Sequence, residues 1–208
     1  MTITMSDAIN KTVIIATNNA HKVEEIESAL TFKGWEFASL KDAGIISNPD
    51  ETGTTFLENA RIKARAVYDQ TGSAVLADDS GLIVDALEGA PGVYSSRYAG
   101  EDGNDAANNA KLLNELRDVP DGKRTARFAC VLVFIDEDGT EIDAEGFIEG
   151  VIGHELVGDE GFGYDPLFLP DEFDHTKSLA QVSQTEKNQI SHRGCALQTL
   201  RKNLLPSC

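Results

Sequence analysis

The chain has 208 residues, 41% of them hydrophobic and 25% charged, a balance that fits an ordinary soluble globular domain and argues against disorder. Its formal net charge of −17 argues against non-specific binding to nucleic acid or to an anionic membrane, since both need a basic face. That charge is uneven: from His175 to Cys208, Lys177, Lys187, Arg193, Arg201 and Lys202 face a single acid, Glu186, so an anion could dock there, although Arg201 and Lys202 also suit the last turn of a helix.

Val13-Ile14-Ile15-Ala16 reads as a buried strand that breaks at Thr17-Asn18-Asn19. Val23, Ile26, Ala29 and Leu30 then give helical spacing over His21 to Leu30. A strand, turn and helix start aims backbone N–H groups and the positive end of a dipole at whatever sits above it. Lys22, a cation set against its own helix dipole, reads equally as a surface lysine or as a partner for an anion held at that junction. Glu51 lies in a loop before Thr55-x-x-Glu58, a capping box that predicts a helix through Tyr68, closed by Thr71-Gly72. Phe56, Ala60, Ala64 and Val67 form its buried stripe, and Arg61, Lys63 and Arg65 its wet side, from which one could turn toward a ligand.

Ala74 to Ala77 has the composition of a short buried strand, and Asp78-Asp79-Ser80-Gly81 follows it, which predicts two adjacent carboxylates at a strand's C-terminal end and a tight turn at the glycine. In open α/β sheets that edge is where ligands bind. An isolated Asp-Asp pair is more often a solvated turn or a helix cap, so the pair gains weight only from its company. Leu82 to Leu87 continues with apolar alternation until Gly89-Ala90-Pro91-Gly92 forces a turn, and Ser95 to Gly100 reads as a small polar loop. Asn104 or Asp105 caps the next helix, with Ala106, Leu112, Leu113 and Leu116 on its core side. Arg127 to Ile135 predicts a central strand buried on both faces, and Asp138-Gly139 turns it back into Glu141 to Gly153, a polar-alternating hairpin partner, so the sheet is mixed. Gly161-Phe162-Gly163-Tyr164-Asp165-Pro166 is either a tight bend with buried rings or a base-stacking platform. Ser183-x-x-Glu186 starts a helical stretch, and Ser191 caps a second one with Leu197, Leu200 and Leu204 as its stripe. His192 and Arg193 then project from a helix N-terminus, a position that accepts anions or carbonyl groups.

Cys130, Cys195 and Cys208 are odd in number and share no Cys-x-x-Cys spacing, which suits a reduced, cytosolic (cytoplasmic) protein. His21, His154, His175 and His192 are too scattered for a zinc site. Met1 to Asn10 has no charged n-region or long apolar core, so neither a secretion signal nor a membrane span is expected.

Taken together, Thr17-Asn18-Asn19-x-x-Lys22, Glu51-Thr52-Gly53 with Phe56-x-Glu58-Asn59-Ala60, Ala77 to Leu82, Gly89 to Gly92, Ser96-Arg97-Tyr98, Gly161 to Pro166 and Ser191-His192-Arg193-Gly194 resemble the inosine triphosphate pyrophosphatase (XTP/dITP diphosphatase) family, in order from Val13 to about Leu204. The resemblance implies one α/β domain over residues 12–208 behind an N-terminal extension of residues 1–11. It implies an elongated fold with a mixed, curved central sheet flanked by helices, two lobes with a nucleotide cleft between them, and a homodimer. It also implies Mg²⁺-dependent hydrolysis of deaminated purine nucleoside triphosphates (ITP, dITP, XTP) to monophosphate and pyrophosphate. By resemblance, Asp79 is the general base, and Glu51 and Asp79, with Asp78 beside them, are the metal carboxylates. Thr17, Asn18, Asn19, Ala20, His21, Lys22, Lys63, Ser80 and Lys187 hold the substrate, with Asn19, Lys22 and Lys187 on the phosphates. Phe162, Gly163, Tyr164, Asp165, His192 and Arg193 surround the base, with Phe162 as the stacking face.

The chain departs from the family pattern at Asn18, where glycine is usual and a turn with φ > 0 is expected, and at Gln181, where glutamate is usual. A triphosphate brings roughly four negative charges, which an acidic protein accepts only through a metal and focused cations. Mg²⁺ takes hard oxygen ligands through one or two carboxylates plus substrate phosphates. A donor such as Arg193 or His192 would favour a 6-keto purine over adenine. The alternatives are a pyrophosphatase for other nucleotides with a related fold, and a non-catalytic nucleotide-binding regulator; the second is expected to lack a metal carboxylate.

Overall fold

The computed structural model describes residues 11–29 and 34–204. Residues 1–10, Leu30 and Cys208, which enter the expectations above, lie outside the described residues. Strand β1 (Lys11–Ile15) leads into α1 (Ala20–Ala29), then β2 (Trp35–Ser39), α2 (Phe56–Thr71), β3 (Ala74–Val84), α3 (Asp105–Glu115), the hairpin β4 (Thr125–Ile135) and β5 (Glu141–Ile152), β6 (Phe168–Pro170), α4 (Gln184–Ile190) and α5 (His192–Leu204). The six strands form one mixed sheet in the order β2-β1-β3-β4-β5-β6, with β1 parallel to both its neighbours and every later pairing antiparallel. Among the described residues, no helix is long and apolar enough to cross a membrane.

Local rules explain the elements that the sequence predicts well. Thr55 and Glu58 make both halves of the capping box that starts α2, and Gly72 closes that helix in the left-handed region at φ 65°. In β4, hydrophobic side chains can face both ways because the strand is covered on both sides: Val133 and Ile135 meet Ala60, Ala64 and Val67 of α2, whereas Cys130, Leu132 and Phe134 meet Ile26 of α1 and Ala196, Leu197 and Leu200 of α5. A third cluster joins Leu82, Val84, Phe128 and Ile148 to Leu112 of α3 and to Leu116, the residue that caps its C-terminus.

Three expectations are corrected. Asp78 and Asp79 do not end a strand, because β3 continues through them to Val84, paired with β4 along its length. Gly81 makes no turn; a Cβ there would strike Ser95 Oγ and the Gly92 carbonyl, so glycine serves the close approach of the Gly92–Arg97 turn. The inner face of α3 is largely polar: Asn108 and Asn109 are buried and Ala106 is exposed. At the first described residue, Lys11 Nζ lies 2.6 Å from Asp136 and 5.3 Å above the Trp35 ring. Strand β2 was not anticipated from periodicity, because its five residues are held as an edge by β1 and by Trp35 stacking on Phe134 at 5.2 Å.

Helix α5 lies directly on β5 at Gly146, where an added Cβ would collide with the Ala196 amide and the His192 carbonyl. Gly146→Ala therefore forces the helix off the sheet and should cost about 1–3 kcal/mol or more. Gly122→Ala, at a position with open space around it, should change stability by less than about 0.5 kcal/mol. Thermal or denaturant unfolding of the two variants checks the contrast, and equal melting behaviour would refute it.

Candidate active site

Strand β1 pairs with β3 only from Val13↔Ala74 to Ile15↔Leu76, so β3 runs on past the end of β1 paired with β4 alone. A cleft of about 540 Å³ opens there, the size of a small-ligand pocket. At the end of β1, Asn19 Oδ1 accepts the N–H groups of His21 at 3.0 Å and Lys22 at 3.3 Å, so the first turn of α1 is capped by this side chain. Asn18 is not in the left-handed region, so the turn expected there needs no glycine; its carboxamide instead donates to the Ser47 carbonyl at 2.9 Å, linking the β1 loop to the loop that carries Glu51. That second loop is fastened to the start of α2, with the Gly53 N–H on Asn59 Oδ1 at 2.8 Å and the Thr54 N–H on Glu58 Oε2 at 2.7 Å.

Because successive strand residues point to opposite faces, Asp78 and Asp79 part company. Asp79 faces α2, where Lys63 Nζ lies 2.6 Å from its Oδ1 and 3.3 Å from Glu51 Oε1. Burial raises the Asp79 pKa above the ordinary carboxylate value, outweighing Lys63 and Lys22. Its Oδ2 is buried without a hydrogen-bond partner among the described residues. Against the cost of burial, Asp79 and Glu51 hold Lys63 charged. Of the helix's three exposed-face cations, Lys63 is the one turned inward; Arg61 and Arg65 both pair with Glu141.

Asp78 faces α1 and α5 and is wholly buried. Its Oδ1 accepts from Lys22 Nζ at 2.5 Å and Ser80 Oγ at 3.0 Å, and its Oδ2 from Arg193 Nε at 2.9 Å and Cys130 Sγ at 3.0 Å. Despite burial, Arg193 and Lys22 hold its carboxyl well below the ordinary range. Arg193, 1% exposed, also donates from Nη1 to Glu25 and from Nη2 to Ser80 Oγ at 3.0 Å. Glu25 takes Lys187 Nζ at 2.7 Å, and Lys187 reaches Asp165 Oδ2 at 2.8 Å. Although burial opposes its charge, Arg193 and Lys187 bring Glu25 down to about 2. The Phe162 N–H donates to Asp165 Oδ2 at 2.9 Å, and the Phe162 ring has Lys187 Nζ 4.9 Å and the Arg193 guanidinium 5.9 Å from its centroid, with the His21 ring stacked on it at 5.3 Å. His192 stacks on Phe128 at 4.9 Å; burial, reinforced by Arg193, pushes its imidazole down to about 3, and its Nδ1 has no partner among the described residues.

The cleft thus collects Thr17, Asn18, Asn19, Lys22, Glu51, Lys63, Asp79, Ser80, Phe162, Gly163, Tyr164, Asp165, Lys187, His192 and Arg193 on its walls. Ala20, His21 and Asp78 are not on the walls: Ala20 opens α1, His21 reaches the site through Phe162, and both Asp78 oxygens are occupied by donors. Sequence inspection missed Glu25, which looks like one more surface acid of an amphipathic helix. Arg97, which the sequence offered only as part of the Ser96-Arg97-Tyr98 motif and without a role, lines the cleft, stands over Tyr94 at 5.3 Å and has no carboxylate partner among the described residues.

A family model described as the Ham1 family matches residues 13–203. The dITP/XTP pyrophosphatase of Clostridium perfringens is 49% identical over 200 residues, covering 93% of this chain and 97% of that protein. Among solved structures, the Staphylococcus aureus Ham1 protein superposes with a TM-score of 0.83 at 39% identity, covering 93% of this chain and 98% of that one. A Coxiella burnetii HAM1 protein gives 0.83 at 40% identity, with the same coverage. With motifs, family model and relatives all matching nearly end to end, the chain belongs to the Ham1 family.

Proposed function

We propose that this protein hydrolyses nucleoside triphosphates carrying a deaminated purine, dITP, XTP and ITP, to the monophosphate and pyrophosphate. The observation that carries this is Asp79: a largely buried carboxylate on the cleft wall, raised in pKa, with one oxygen on Lys63 and the other free of hydrogen bonds, beside Glu51. A carboxylate so placed suits a general base that takes the proton of an attacking water. The names of the curated relatives support the substrate class.

The donor set also fits Mg²⁺. Among the described residues, no three His, Cys, Asp or Glu side chains gather as a metal site. Mg²⁺ does not need such a group, since it binds through one or two carboxylates and takes phosphate and water for the rest. Glu51 and Asp79 would hold it; Asp78, expected beside them, has no oxygen to spare. Once bound, the ion supplies Lewis acidity and offsets phosphate charge. Lys22 and Lys63 stand at the phosphate end, and Asn19 keeps the amide of its side chain for the same task. At the base end Phe162 offers its ring. Arg193 has three of its donor groups committed to Asp78, Glu25 and Ser80, whereas the neutral His192 has an unpartnered Nδ1. We assign the 6-keto contact to His192. The homodimer belongs to the same proposal, and its support is the family resemblance alone; light scattering tests it.

Asp79→Asn should lower kcat by at least about a hundredfold, the range for loss of a general base. Its melting temperature should not fall. A raised carboxyl pKa contributes stability only below the unfolded pKa and loses it as pH rises through the folded value, so the ionised form is a liability at neutral pH. More than about a tenth of wild-type kcat would exclude this role.

In ¹⁸O water, label should appear in the monophosphate, and chelation by EDTA should stop pyrophosphate release. Label in orthophosphate instead would show attack at the γ-phosphorus. The same release assay with dITP, XTP, ITP, GTP and ATP separates this proposal from a pyrophosphatase of different base preference and from a non-catalytic binder.

His192→Ala should lower kcat/KM for ITP roughly tenfold more than for ATP, about the worth of one hydrogen bond. Both substrates share the triphosphate, so an equal loss would remove His192 from base recognition.

A further inference from the structure

We infer that the first turns of α3 are the positioning element of the aromatic platform, with Asp105 and Asn109 gripping Gly163 by both of its backbone groups and thereby fixing the Phe162 ring for the base. The Gly163 N–H donates to Asp105 Oδ2 at 2.7 Å, and Asn109 Nδ2 donates to the Gly163 carbonyl at 2.8 Å. Residues four apart share one helix face, so one rigid element supplies both contacts. Gly163 sits at φ 64°, in the left-handed region, so its conformation is open to glycine and strained for most other residues.

The helix itself is anchored. Leu112 and Leu116 are fully buried in the cluster that also holds Tyr164, and the Tyr164 hydroxyl donates to the Ser95 carbonyl at 2.8 Å. The Phe162 N–H, in turn, is fixed by Asp165. Phe162 therefore lies between two supports, the buried ionic network through Asp165 and α3 through Gly163. Asn109 is 4% exposed and does not line the cleft, so it acts on a ligand only through the loop. Asp105 does line the cleft, and the two residues together distinguish a grip on the loop from direct contact with a ligand. The clamp rests on the proposed function, in which Phe162 stacks the base.

The test measures KM and kcat for ITP, and the inhibition constant of inorganic tripolyphosphate, which has no base, in Asn109→Ala, Asp105→Ala, Asp105→Asn and Phe162→Ala. Asn109→Ala and Asp105→Ala should each raise KM about five- to tenfold while kcat and the tripolyphosphate constant stay within about twofold. Asp105→Asn keeps an acceptor for the Gly163 N–H and should recover most of the loss. A matching rise in the tripolyphosphate constant would mean a general disturbance of the cleft and overturn the clamp. An effect of Asp105→Ala with none from Asn109→Ala would also overturn it, as direct contact by Asp105. If Phe162→Ala leaves KM unchanged, the platform itself is wrong; if Phe162→Ala acts and Asn109→Ala is silent, the clamp alone fails. Should Asn109→Ala not fold, Asn109→Leu, which fills a similar volume and removes the donor to the Gly163 carbonyl, takes its place in the same comparison.

Discussion

The alternation of side chains along β3 is the constraint on which the site depends. Two neighbouring acids leave the strand on opposite faces, and each meets a different helix layer. Asp79 goes to α2 and the cleft; Asp78 goes to α1 and α5. Burying Asp78 as an ion would cost several kcal/mol if it were unpaired, and Lys22, Arg193, Ser80 and Cys130 all donate to it. That arrangement pins α1 and α5 to the strand that carries Asp79. Asp79, the proposed general base, is thereby set in position by its neighbour's buried ion pairs.

Those pairs continue without a break to the other end of the cleft. Asp78, Arg193, Glu25, Lys187 and Asp165 form one chain of contacts, and Asp165 holds the Phe162 amide. The carboxylates Asp78, Glu25 and Asp165 balance the cations Lys22, Arg193 and Lys187. A network of this kind contributes little net stability relative to apolar packing, but losing one member strands a buried charge at about 3–5 kcal/mol. Its evident product is geometry: the strand residue of the proposed chemistry and the ring of the proposed platform share one rigid support.

Much of this was legible where a local rule decides the outcome. Thr55 and Glu58 announce the start of α2, Asp138-Gly139 announces the β4–β5 hairpin, and the unbroken apolar run from Phe128 to Ile135 announces a strand covered on both faces. Tertiary partners decided the rest. Asp-Asp-Ser-Gly has turn composition and poor strand propensity, yet pairing with β4 and the cations beneath it carry the strand straight through. Glu25 is invisible because nothing in its own neighbourhood marks it as the partner of residues more than 150 positions later. Asn108 and Asn109 were missed for a related reason: apolar periodicity looks for a greasy face, and this helix uses amides to hold loops.

The charge balance explains why cations in the sequence do not translate directly into a phosphate site. Lys187 was a natural candidate for phosphate contact, but its charge is already matched by the buried Glu25 and Asp165. Near the proposed reaction centre, Lys63 faces both Glu51 and Asp79, so that group of three carries a net negative charge. A triphosphate would be repelled there unless a further positive charge arrives with it. Under the proposed function, a divalent cation held by Glu51 and Asp79 would reverse the local sign and leave Lys63 free to contact phosphate, so the acidic wall that opposes the substrate alone would favour it as a metal complex.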